Sequence, residues 1–186
     1  QSLQARGVDL IATYDDFGPA MIGSFQAATS AGIPIVAYGG VPGPDGEKAV
    51  VSQVASDFCD DGDRMAEAAN ESLGGSGSVA FFTGTPGNPQ GEGWMTCAEK
   101  WFADNAPGIK VVNRSNTDWS QQGTFSAASA LISSGTDVDA ILYDYATQTV
   151  NIVDAYQQAG EQVPTQITWT TDNTLTGMWE KDQGTD

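Results

Sequence analysis

Short apolar runs recur along this chain, separated by longer stretches that carry helix start and stop signals. That alternation limits the fold more than any other feature. The runs at 8–14, 33–38, 50–55, 78–83, 109–112, 139–143 and 166–170 read as seven strands. Between them the spacing predicts helices. One covers 19–31, with Pro19 in its first turn and Gly32 as its stop, and another covers 57–73, capped by Asp57 and ended by Gly74-Gly75. A third runs from about Pro89 to Ala106, and a fourth is capped by Asp118 or Ser120 and reaches Ser133. A fifth spans 147–159 before Gly160, and a last one follows Asn173. Residues 42–46, with Pro-Asp-Gly at their centre, read as a turn-rich loop. Strands separated by helices form parallel sheets through right-handed crossovers, and nearly continuous apolar strands are covered on both faces. The expected fold is therefore α/β, with a boundary near Ser56-Asp57 where one series of strand-helix units ends and another begins.

Composition removes several functions. The 186 residues carry 7 basic and 24 acidic side chains, a net charge of −17, and no His. Nucleic acid needs clustered Lys and Arg, as does an anionic lipid surface. Without His the usual general base, the Ser-His and Cys-His nucleophile pairs and the commonest zinc ligand are missing. The phosphate-loop pattern is absent, and Gly75-Ser-Gly77 precedes its strand instead of following it, so both nucleotide fingerprints fail. No metal-binding motif occurs, and Asp57, Asp60 and Asp61 read as ordinary acids at a helix start. Charged residues make up only 17%, with Gly, Ser, Thr, Asn and Gln in the polar role, which points to an extracytoplasmic protein. Cys59 and Cys97 are compatible with one bridge or with two buried thiols. No run of 18 apolar residues is present, and the first and last residues read as parts of helices, so the expectation is a piece of a longer chain.

The strand ends carry the functional signal. In open α/β sheets, ligands bind at the C-terminal edge. There this sequence delivers Asp15, Tyr38, Asn88, Trp94, Trp119, Asp144, Tyr145 and Asp172. Aromatic faces stack on the apolar faces of sugars, while carboxylates and amides hold hydroxyls, so these residues are the candidate ligand contacts. Each also has a structural reading. Asp15, Asp144 and Asp172 can cap helices, and Trp94 can be core.

The chain resembles the type I periplasmic substrate-binding proteins of the ribose- and galactose-binding kind, which serve sugar ABC transporters. The resemblance rests on Gly7-Val-Asp-Leu-Ile11, Ala31-Gly-Ile-Pro-Ile-Val-Ala37, Val54-Ala-Ser-Asp57, Gly84-Thr-Pro-Gly-Asn88, Pro107-Gly-Ile-Lys-Val-Val112, Thr117-Asp-Trp119, Val138-Asp-Ala-Ile-Leu142 and Thr171-Asp172, in family order. It implies two Rossmann-like lobes with parallel sheets that close on a ligand by a hinge. Residues 1–56 would be part of the N-terminal lobe and 57–170 the C-terminal lobe. Residues 171–186 would cross the hinge and begin the return, leaving the first lobe incomplete. Ser56, Asp57 and Asn173 would be hinge residues. Trp119 matches the family's stacking aromatic and Asp172 its hinge-side acid. Tyr145 replaces an amide, the acid-base pair expected after the second strand falls on Gly39-Gly40, and an expected Arg falls near Gly93-Trp94. These departures point away from ribose. Arg6, Lys48, Arg64, Lys100, Lys110, Arg114 and Lys181 all lie off the expected rim, whereas an anionic ligand would want a bidentate Arg.

The resemblance thus implies a monomeric, non-enzymatic receptor for a neutral sugar or polyol. It would be periplasmic or extracellular, or a membrane-anchored lipoprotein, with an ABC permease as partner and no cofactor, metal or catalytic residue. A cationic ligand is the second choice, through Trp, Tyr and Asp. Under this fold a Cys59–Cys97 bridge is favoured. The alternatives are a ligand-sensing domain of a LacI-like regulator or sensor receptor, and a sugar-modifying enzyme.

Overall fold

A computed structural model describes residues 2–40 and 43–182. Strands and helices alternate along the whole of it. The strands are β1 (Ile11–Tyr14), β2 (Ile35–Tyr38), β3 (Ser52–Val54), β4 (Ser76–Thr83), β5 (Gly108–Asn116), β6 (Ala140–Tyr143) and β7 (Thr165–Ile167). The α-helices are α1 (Ser2–Ala5), α2 (Ile22–Ser30), α3 (Gly43–Lys48), α4 (Phe58–Leu73), α5 (Pro89–Asn105), α6 (Gln121–Ser133), α7 (Thr149–Ala159) and α8 (Asn173–Asp182). All strand pairings are parallel, in a three-stranded sheet ordered β1-β2-β3 and a four-stranded sheet ordered β5-β4-β6-β7.

The described residues form two compact units. The first runs to Phe58 and takes in Pro86–Gly93; the second comprises Cys59–Thr85 and the chain from Trp94 onward. The chain therefore passes between units just after the expected Ser56-Asp57 boundary, and again around a short excursion that carries Asn88. Residues from 171, expected to begin a return to the first lobe, group with the second unit.

In the second unit, β4 shows why both faces of its sheet are apolar. Val79 and Phe81 point into a core with Met65, Ala66 and Ala69 of α4 and Met95, Ala98 and Phe102 of α5. Ala80 and Phe82 point the other way, against Ala128 and Leu131 of α6 and Ile152 and Ala155 of α7. The period-two alternation of a strand thus feeds two helical layers from one run of sequence. In the first unit, Phe25 and Ala28 of α2 cover Ile35 and Ala37 of β2.

Cys59 and Cys97 are bonded, with their Cα atoms 5.1 Å apart, and tie the first turn of α4 to α5. Gly62, one turn into α4, lets the backbone of Trp94 approach: a Cβ there would sit 2.3 Å from the Trp94 carbonyl oxygen.

Several elements differ from their expected form. The loop expected over 42–46 begins at Pro42, outside the described residues, but from Gly43 the chain is the short helix α3. Asp45 in its first turn and Lys48 in its last suit the helix dipole and pair at 3.3 Å. The helix expected over 19–31 opens as a 3₁₀ turn, Gly18–Met21, and the one expected from 147 also begins in a 3₁₀ turn, Ala146–Gln148. The last strand ends at Ile167, three residues early. The fifth strand, expected to stop at Val112, continues to Asn116. Its register against β4 slips between Val79 and Ala80, so Val112 is an extra residue that bulges out, 41% exposed. That longer strand brings Asn116 and Thr117 level with the end of β4.

Candidate ligand-binding site

The four-stranded sheet has a topological switch. From β4 the chain crosses to β5 on one side, and the next strand, β6, pairs on the other side of β4. The C-terminal ends of β4 and β6 therefore diverge at the place where open α/β sheets hold ligands. Thr83 ends β4 there, and Asp144 follows β6. The Thr83 hydroxyl donates to Asp144 Oδ2 at 2.6 Å, joining the two strand ends.

Asp144 is 3% exposed, and further donors converge on it. Trp94 Nε1 donates to Oδ2 at 2.9 Å and Trp119 Nε1 to Oδ1 at 2.8 Å. Burial pushes the carboxyl up to about 6, against the pull of these hydrogen bonds. Beneath this layer Tyr143 is fully buried, and its hydroxyl shares hydrogen bonds with Thr117 at 2.7 Å and Thr124 at 2.9 Å. Burial pushes this phenol to about 12, so it stays neutral.

Trp119 is the partly buried outer member of the arrangement. Asp118 and Trp119 both have left-handed backbone, with φ of 51° and 49°, which side chains rarely adopt. Thr117 braces the turn: its hydroxyl donates to the Thr83 carbonyl at 2.7 Å and accepts from Trp119 N at 3.2 Å. The indole then lies over Gly84, where a Cβ would stand 2.1 Å from Trp119 Cδ2 and 2.2 Å from Cε2. Only a glycine permits this contact. Trp119 is left half-buried, packed by its inner side and partly open to solvent. Ser120 caps α6 immediately afterwards, accepting from Gly123 N at 3.0 Å, which decides between the two expected caps.

Other expected contacts have structural duties in this unit. Trp94 was expected at the rim but is 0% exposed, between Phe81, 5.0 Å away centroid to centroid, and Trp169, 6.1 Å away. Its ring is core, and only its N–H reaches the site. Tyr145 is half-buried at the start of the turn leading to α7. Asp172 caps α8, accepting from Leu175 N at 2.8 Å, and that bond holds its carboxyl below the usual range. Asn173 is the first, exposed residue of α8.

The first unit brings together a second group. Tyr14 and Tyr38 end adjacent strands with ring centroids 5.7 Å apart; Tyr38 is 52% exposed, and Tyr14 donates to Gln90 Oε1 at 2.8 Å. Asp15 is buried, with Oδ1 accepting from Phe17 N at 3.2 Å. Its Oδ2 has no hydrogen-bond partner among the described residues, and burial raises its carboxyl above the usual value. Asn88 is also buried: its amide donates to the Asp15 carbonyl at 3.1 Å, and its oxygen caps α5 through Gln90 N and Gly91 N. Ser56 and Asp57 are exposed in the extended segment before α4. Among the described residues no group of three or more metal-ligating side chains occurs. Sequence reading passed over Thr83, Thr117 and Gly84. Their positions at strand ends were visible, but a lone Thr or Gly carries no chemical signature before its partner is known.

A family model described as a periplasmic binding protein domain matches residues 1–181. The chain belongs to this family. This periplasmic binding protein domain also superimposes on many solved structures. An ABC transporter solute binding protein from Agrobacterium vitis with bound D-fucose matches at a TM-score of 0.85 and 18% identity, over 97% of this chain and 62% of that one. A solute binding protein from Actinobacillus succinogenes with bound D-allose matches at a TM-score of 0.73 and 24% identity, over 98% and 66%. A glucose-galactose binding protein from Geobacillus stearothermophilus matches at a TM-score of 0.82 and 19% identity, over 97% and 63%. At these identities the likeness is one of fold. The domain spans 62–66% of the length of these three structures. No curated protein matches the sequence significantly.

Proposed function

We propose that this domain captures a small neutral sugar or polyol outside the cytoplasm and hands it to an ABC transporter permease, without chemical change. The observation that carries the reading is the Trp119 indole. It is half-buried, backed by Gly84 and held through its N–H at the switch point of the sheet. A flat apolar ring three residues after the exposed Asn116 suits the apolar face and polar edge of a sugar. Asn116, Thr117 and Tyr145 share that sheet edge.

Two further facts support a neutral ligand. Arg114, the basic residue closest in sequence to the β5 rim, is paired with Glu99, and Arg64 is paired with Asp60 at 2.7 Å. The fold neighbours include proteins with bound D-fucose, D-allose and L-arabinofuranose, all uncharged. Extracytoplasmic placement is supported by the disulfide and by neighbours named as periplasmic solute binding proteins. Among the described residues no helix is long and apolar enough to cross a membrane.

The test is a thermal-shift screen of the full-length protein against D-fucose, D-allose, D-galactose, D-glucose, L-arabinose, a polyol, a cationic osmolyte and a sugar acid. A ligand at 100 times its Kd adds roughly 2.7 kcal/mol to stability. The expected result is a shift with a neutral sugar or polyol that disappears in Trp119→Ala, with the sugar recovered unchanged after incubation. A shift with the cation or acid alone, or a sugar consumed during incubation, contradicts the reading.

A further inference from the structure

We propose that Asp144 is the positioning residue of the sugar platform: its one carboxylate fixes the plane of Trp119 and, through it, sugar affinity, without itself touching the ligand. The inference rests on the proposed reading of Trp119 as the stacking surface.

The geometry points this way for three reasons. First, the carboxylate is already occupied. Oδ2 accepts from the Thr83 hydroxyl and the Trp94 indole and Oδ1 from the Trp119 indole, while the side chain is 3% exposed. At that burial the carboxylate presents almost no surface to a ligand. Second, Trp119 needs a tether. Its backbone lies in a region that does not favour a Trp, and its side chain is only partly buried, so backbone preference and burial alone do not set the ring plane. The bond from Nε1 to Asp144 and the contact with Gly84 set that plane together. Third, the tether is anchored to rigid structure. The same carboxylate holds the fully buried Trp94, wedged against Phe81 and Trp169, and bridges to the end of β4 through Thr83. A platform tied to two strand ends and a core indole is pre-organised, which lowers the ordering cost when a ligand stacks on it.

Asp144→Asn is the discriminating variant. An amide offers one acceptor oxygen where two indoles and a hydroxyl now donate, and its NH₂ faces at least one of those donors. In ¹⁵N-labelled protein, with the indole N–H resonances assigned by Trp→Phe replacement, Asp144→Asn shifts the Trp119 signal and speeds its hydrogen exchange, while those of Trp101 and Trp179 stay in place. Affinity for the sugar found in the screen falls about tenfold. In a Trp119→Phe background, which keeps a ring but has no N–H to tether, the same substitution costs no more than about twofold. An unchanged Trp119 indole resonance in Asp144→Asn overturns the proposal, as does equal weakening in both backgrounds. A moved resonance together with sugar binding that ignores Trp119→Ala supports the tether and overturns instead the sugar reading beneath it. If Asp144→Asn fails to fold, the unaltered protein carries the test. On acidification the Trp94 and Trp119 indole resonances move with one shared midpoint, and separate midpoints overturn the proposal. Tyr143, the titratable neighbour, remains neutral throughout.

Discussion

Opening the Cys59–Cys97 bridge should cost a large part of this domain's stability. The two cysteines are 38 residues apart, so the bond closes a loop containing most of α4, all of β4 and the first half of α5. In the chain-entropy treatment a loop of that length restricts the unfolded chain by about 13 cal/mol/K, or about 4 kcal/mol at 25 °C. For a chain of this size each kcal/mol moves the melting temperature by about 2–4 °C, so the expected drop is about 8–15 °C. Cys59 is exposed, so a water-soluble phosphine can reach it. The native contacts beneath the bridge, from Met65 to Met95 and Phe102, persist without it, and the reduced protein still melts in one step at the lower temperature. Differential scanning calorimetry with and without reductant measures the drop, and Cys59→Ala with Cys97→Ala should melt low and ignore reductant. A reduced protein that melts within 2 °C of the oxidised one would refute the argument that this bond holds α4 and α5 together.

Four further outcomes follow from the geometry. Gly84→Ala puts a methyl group into the Trp119 ring, so the indole must leave its seat and sugar affinity should fall at least tenfold with little change in melting; unaltered affinity would remove Gly84 from the site. Gly62→Ala collides with the Trp94 carbonyl and should destabilise by about 1–3 kcal/mol in a denaturant melt, whereas Gly23→Ala in α2 meets nothing within 4 Å and should stabilise by about 0.4–1 kcal/mol. The Asp144 carboxyl, read by carbon NMR, should titrate near 6, and since its native value lies above the unfolded 3.8, its contribution to stability is fully present below 3.8 and is lost as pH rises through 6. That loss is roughly 3 kcal/mol. Asp172 has the opposite sign: its carboxyl is lowered by the Leu175 N–H, so its stabilising effect is complete above 3.8 and fades as pH falls through the lower native value, seen as a loss of amide protection at Leu175 relative to its intrinsic exchange rate at each pH.

The layered α/β plan was legible because its signals are local and periodic. Gly32, Gly75 and Gly160 stop helices or mark turns where they stand, and β4 and β6 are apolar enough to be read as buried on both faces. Elements whose ends depend on partners were harder to read. β5 continues past Val112 because β4 offers paired backbone as far as Thr83, while its own residues, Asn-Arg-Ser-Asn, look like loop. Glycines and Pro44 in 43–48 hide a helix closed by Asp45 and Lys48. At the site, Trp119 and Asp144 stood out because aromatic and acidic residues at strand ends carry chemistry. Their relation did not, since the sequence separates them by 25 residues. Trp94 shows the limit of the same signal: an aromatic just past a strand end serves the core as readily as the rim, and only its neighbours decide.

Isothermal titration of the full-length protein with the neutral sugar that gives the largest thermal shift, beside its Trp119→Ala variant, tests the central claim most directly. The account predicts one-to-one binding by the unaltered protein and at least a hundredfold loss in the variant, with both proteins folded. Equal affinity in the two, or heat from none of the neutral sugars and polyols, would contradict it.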